Sequence, residues 1–141
     1  MELTKASPTQ EYGAMLLRVS LGIMYLAHAH LKIHAFTLAG TAEFFATVGF
    51  APWLAYPVTV AEIGAGLLLI AGVQTRWVAL AMIPVLLGAA FTHWDNGWVF
   101  TATGGGWEYP VFLAAASLVQ AMLGDGAYAL RLRFARLGHA P

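Results

Sequence analysis

His28, His30 and His34 fall together in "LAHAHLKIHAF", residues 26–36. Further along stand Glu62 in "TVAEIGAGLLLIAG", His93 in "FTHWDNG" and Glu108 in "GGWEYP". Imidazoles and carboxylates exchange protons, and they supply nitrogen and oxygen ligands to metals. His28, Glu62, His93 and Glu108 are the candidate catalytic set. As ligands the same four suit iron, zinc or copper. His28 and His30 diverge by about 200° on a helix and share an ion poorly; His30 and His34, four apart, are better spaced.

What these groups do depends on the solvent around them. The chain has 141 residues, 60% hydrophobic and 10% charged, with mean hydropathy +0.70. A soluble domain carries about 25% charged residues, and one this small cannot hide so much apolar surface. Lipid is therefore the solvent for much of the chain. The formal net charge is zero, which gives no electrostatic case for nucleic acid. No cysteine is present, so this chain carries no disulfide, thiolate metal site or thiol relay.

Residues 1–11 (MELTKASPTQE) read as a polar N-terminal tail. Four apolar spans are expected at Tyr12–Leu31, Trp53–Val73, Trp77–Thr92 and Pro110–Leu123. The last two are short against the ~20 residues that a perpendicular helix needs. Flanking Trp94, Trp98, Trp107 and Tyr109 can extend them into the interface. Arg18 breaks the apolar run that a cleaved signal peptide would need. The first connection contains "TLAGTAEFFATVGF", whose Leu38, Ala42, Phe45 and Phe50 suggest a short interfacial helix. In the second connection, "DNG" and "GGG" mark turns. The expected architecture is an all-α membrane protein. It comprises a four-transmembrane-helix bundle over residues 12–128, an interfacial helix between spans one and two, and a basic tail at 129–141.

Basic residues set the orientation. Lys5, Arg76, Arg131, Arg133 and Arg136 fall on one side and Lys32 alone on the other. Both termini are then cytoplasmic, and the two long connections lie outside.

A charge at mid-bilayer costs at least ~2.5–3.5 kcal/mol, so it faces the bundle and finds a partner. Glu62, near the middle of span two, falls between the levels of Arg18 and His28, which are about 15 Å apart. Arg18 either snorkels to the headgroups or pairs with Glu62. His30 and His34, flanking Lys32, read as interfacial. Glu108 suits a helix N-terminus, and Gln120 an interhelical hydrogen bond. Gly64, Gly66 and Gly72 with Ala61, Ala65 and Ala71 give span two a small-residue face for close packing.

"LLRVSLGIMYLAHAHLKI", "PWLAYPVTVAEIGAGLLLIAGVQTRWVAL", "HWDNGWVF" and "GGGWEYPVFL", in that order, resemble the DoxX family of small four-helix bacterial membrane proteins. The resemblance covers about residues 14–128. Where many members read Gly-x-x-Lys after span one, this chain has His28-Ala29-His30-Leu31-Lys32. Relatives include a membrane subunit of thiosulfate:quinone oxidoreductase, and others are associated with oxidative stress and thiol redox balance. The resemblance therefore implies a multi-pass protein of the bacterial inner membrane, working near quinone alongside other membrane or redox subunits or copies of itself.

A quinone needs an apolar slot with proton donors at its carbonyls. His28, Glu62, His93 and Glu108 would supply the protons. Arg18, Trp94, Asn96, Trp107 and Tyr109 would hold the ring, by stacking for the aromatics. Electrons would come from a partner or directly from substrate. Two alternatives stand beside this reading. One is a non-catalytic accessory or scaffold subunit whose polar cluster locks the bundle. The other is a metal-binding membrane protein using the His and Glu set. A transporter or channel has less support, since no charged ring or broken-helix pair is evident.

Overall fold

The computed structural model describes residues 6–130. Lys5, Arg131, Arg133 and Arg136, on which the orientation argument leans, lie outside them. The described residues form five α-helices: α1 (Pro8–His30), α2 (Leu38–Thr47), α3 (Ala55–Ala71), α4 (Thr75–Thr92) and α5 (Glu108–Leu123).

Helix α1 begins at Pro8, four residues before the expected start. Ser7 accepts from the Gln10 N–H while the Gln10 side chain accepts from the Ser7 N–H, a reciprocal capping box, and Pro8 occupies the first turn. Residues Leu31–Ala35 continue α1 as a π-helical turn. The combined Pro8–Ala35 run, Pro52–Ala71 and Thr75–Thr92 are long and apolar enough to cross a membrane. Helix α5 has 16 residues and is shorter. The helix expected in the first connection is α2, with Thr37 accepting at its N-terminus from Gly40. Helix α4 runs through Pro84, which sits exposed on its outer side.

Helix α1 packs on α3 and α5, and α4 packs on α3 and α5, so the long helices close a ring. Leu21, Tyr25, Ala65, Leu69, Met82, Leu86, Leu113 and Ala114 form the core. Helices α1 and α3 cross at Gly22 and Gly66. A Cβ on Gly22 would lie 2.7 Å from the Gly66 carbonyl oxygen, and one on Gly66 would lie 2.9 Å from that of Gly22. The other glycines of the expected small-residue face do different work. Nothing lies within 4 Å of a Cβ built on Gly64. Gly72, at φ 77°, takes the left-handed conformation that ends α3, and the Val73 N–H returns to the Leu68 carbonyl.

Outward-facing Leu16, Ile23, Val60, Leu67, Leu87, Phe112 and Met122 cover the bundle surface with apolar side chains. In water that surface would be a liability, and against lipid it is the ordinary exterior.

Candidate functional site

The π-helical turn after His30 carries Lys32. Its ammonium donates to both carboxylate oxygens of Glu62, at 2.6 and 2.8 Å. Glu62 is 6% exposed. An apolar bundle holds an ionised carboxylate only with a close counter-charge, and Lys32 supplies it. Helix α2 closes over the same turn: the Thr41 hydroxyl donates to the Lys32 carbonyl at 3.5 Å and to that of Thr37 at 2.9 Å.

Tyr25 stands two turns before Lys32 on the same face of α1. It is buried, and its hydroxyl shares a 2.6 Å hydrogen bond with Ser117 of α5. Tyr109 donates to the Met24 sulfur at 2.7 Å. His28 stacks on Tyr109 with ring centres 5.8 Å apart, and its Nδ1 bonds the Met24 carbonyl at 2.8 Å. This part of the bundle thus holds a half-buried ion pair together with two tyrosines, a serine and a histidine.

A second cluster closes the connection between α4 and α5. Trp94 and Trp107 stack at 4.9 Å, and Trp98 meets Trp107 edge-on at 4.6 Å. The Glu108 carboxylate accepts from the Phe100 N–H at 2.7 Å, and the Asn96 amide donates to the Gly105 carbonyl at 2.8 Å. Gly106 passes so close to the Trp98 and Val99 carbonyls that no side chain fits there. His93 ends α4 beside Gly105. Its Nδ1 is buried with no hydrogen-bond partner among the described residues, an uncommon state for a polar atom.

Arg18 neither snorkels nor meets Glu62, which Lys32 has taken. The Arg18 guanidinium, 1% exposed, donates to four backbone carbonyls: Leu69 at 2.9 Å, Ile70 at 2.6 Å, Asp125 at 2.8 Å and Ala127 at 2.7 Å. Two belong to the last turn of α3, where unpaired carbonyls form the negative pole of the helix. A planar fork of donors suits this task. The contact lies at the opposite end of the bundle from Trp94, Asn96 and Trp107, so Arg18 does not share a pocket with them.

The four-residue ligand set is not assembled either. His28 rests on Tyr109, Glu62 on Lys32 and Glu108 on the loop backbone. Among the described residues, no three His, Asp or Glu side chains form a group that could hold a metal. Among the described residues, Gln120 makes no interhelical bond. It donates to the Gly124 carbonyl just past its own helix.

Sequence reading missed Lys32, Tyr25 and Ser117. Lys32 looked interfacial because the apolar pattern fades at Leu31, whereas the helix continues as a π turn to Ala35. The seven-residue spacing from Tyr25 to Lys32, two helical turns, was the available signal.

Helices of this length and surface define a multi-pass membrane protein with a buried carboxylate, Glu62, paired to a half-buried lysine. The sequence signature of the DoxX family matches residues 13–94, and the chain belongs to that family. It is similar to Putative oxidoreductase CatD of Bacillus subtilis (strain 168), at 34% identity over 82 residues, 58% of this chain and 60% of the relative. The matched stretch thus spans about 60% of that relative's length. No solved structure matches the chain significantly.

Proposed function

We propose that this protein is an integral-membrane subunit of quinone-linked redox chemistry, serving the oxidation of sulfur compounds or the response to oxidative stress. The observation that carries the reading is the Lys32–Glu62 pair, its carboxylate buried where charge is costly, on a bundle whose α1 and α5 also carry the hydrogen-bonded Tyr25 and Tyr109 hydroxyls. Ionisable groups retained inside a membrane bundle mark proton or substrate paths. The similarity to a protein named as an oxidoreductase supports the same class.

The residues present suit a quinone in two respects. The orphaned Nδ1 of His93 is a hydrogen-bonding atom left for a ligand, and Trp94 and Trp107 beside it offer aromatic faces. A bound quinone would supply two-electron chemistry with uptake of two protons, its electrons coming from a partner subunit or directly from substrate. The chain's part is with the protons. Lys32 holds the Glu62 carboxylate in place, Tyr25 and Ser117 share an exchangeable hydrogen, and His93 presents a nitrogen at the aromatic cluster.

An accessory role within a larger complex is the second reading. The favouring observation is Arg18, a buried cation spent wholly on backbone carbonyls, which locks the bundle without chemistry.

The setting proposed is the bacterial inner membrane, with four spans and both termini cytoplasmic. Arg76, in the first turn of α4 at the α3–α4 end of the bundle, supports that orientation. Reporter fusions at each terminus and in the 93–107 connection test it.

The test of function is extraction of the purified protein for bound quinone by mass spectrometry, joined to quinone-dependent turnover in membranes. Bound quinone, with turnover lost in Glu62→Gln and His93→Ala, is the expected result. Full turnover in both variants overturns the site, and absence of quinone with no turnover in the wild type favours the accessory role.

A further inference from the structure

The imidazoles of His30 and His34 face each other with ring centres 4.5 Å apart and planes tilted by 38°. Both residues are exposed. Between them in sequence, Lys32 turns the other way, and its ammonium is held by Glu62. The cation that should repel a metal from this corner is thus drawn into the bundle. Two further observations point the same way. His30 ends α1 and His34 lies in the π-helical turn that follows, so both sit at the carbonyl-rich, negative pole of the longest helix, where cations are favoured. The Pro8–Ala35 run has 28 residues, about 42 Å at ~1.5 Å per residue, against a hydrocarbon core of about 30 Å. Its final turns therefore reach the aqueous interface.

We propose that His30 and His34 form a surface site for a divalent transition-metal ion of the imidazole-binding class: zinc, nickel or copper. Each ring offers one nitrogen at about 2.0–2.1 Å from a shared ion, and water fills the remaining positions. The other histidines described are differently placed. His28 Nδ1 is engaged by the Met24 carbonyl, and His93 belongs to the loop between α4 and α5. A bound ion would staple the π-helical turn that carries Lys32. The proposal does not depend on the quinone reading.

The experiment uses the full chain in detergent, purified through a histidine-free tag and titrated with zinc chloride by calorimetry. The expected result is one zinc ion per chain. His30→Ala and His34→Ala each weaken binding at least tenfold, while His28→Ala and His139→Ala leave it unchanged. Both site residues are exposed, so these variants should elute and melt as the wild type does. His34→Gln, which keeps a polar side chain, should also lose the ion. Absence of saturable binding overturns the site, as does binding indifferent to His30 and His34 or lost with His139.

Discussion

Lys32 Nζ and Glu62 face each other inside the bundle, both carboxylate oxygens within 2.8 Å of the ammonium. The contact joins the end of α1 to the middle of α3, across 30 residues of sequence. Its two halves do not fail alike. In Lys32→Met the carboxylate is left buried without a partner, at a cost of about 3–5 kcal/mol. In Glu62→Gln the amide oxygen still accepts from Lys32. Thermal unfolding in detergent should therefore show Lys32→Met well below Glu62→Gln. The double variant Lys32→Met/Glu62→Gln should recover part of the loss, because no uncompensated charge remains. Strict additivity of the two single effects would mean that the pair is not coupled.

Arg18 gives a second asymmetry. A lysine ammonium has three donors at one point, and four carbonyls on two separate segments surround the guanidinium. Arg18→Lys should cost about 2 kcal/mol or more. It should first release residues 125–130, which are held by Arg18 and by the Ala127 to Glu11 and Leu130 to Ala71 backbone bonds. Hydrogen exchange at the Ala127 and Leu130 amides is the readout. Unchanged protection there would show that the segment is held without Arg18.

Much of this fold was legible in the sequence because lipid leaves few solutions: apolar runs must be helices, and turns fall at "DNG" and "GGG". The level of Glu62 could be placed by counting residues. Its partner was harder to place, since Arg18 and Lys32 are both cations near that level, and only the seven-residue spacing from Tyr25 to Lys32 favours the second. Arg18 went unread for a related reason. Its acceptors are backbone carbonyls, which carry no residue-type signal. The sequence points to the polar residues of the 93–107 connection and the start of α5, but the backbone of that connection takes up Glu108 and Asn96.

The α1–α3 crossing sets a steric test. Alanine at Gly22 or Gly66 drives a methyl into the facing carbonyl, and backbone cannot swing aside as a flexible side chain does. Overpacking of this kind costs about 1–3 kcal/mol. Gly64→Ala, on the same helix with open space around it, should be neutral or slightly stabilising, since alanine favours the helix. Equal effects at Gly64 and Gly66 in a detergent melt would contradict the close crossing.

His93 separates stability from function. Its Nδ1 is buried without a partner, so the fold gains no hydrogen bond from that atom and bears the cost of desolvating it. His93→Phe keeps a ring beside Gly105 and removes the orphan. The variant should melt at or above the wild-type temperature, by up to about 1 kcal/mol, while quinone-dependent turnover and quinone retention fall together. Most substitutions that damage a protein lower both stability and activity, and so identify no site. A variant at least as stable as the wild type but unable to retain quinone would place the ligand at His93. One that is stable and fully active would instead make the unpaired nitrogen a tolerated defect of the loop, and would move the search for the quinone to the Lys32–Glu62 end of α1.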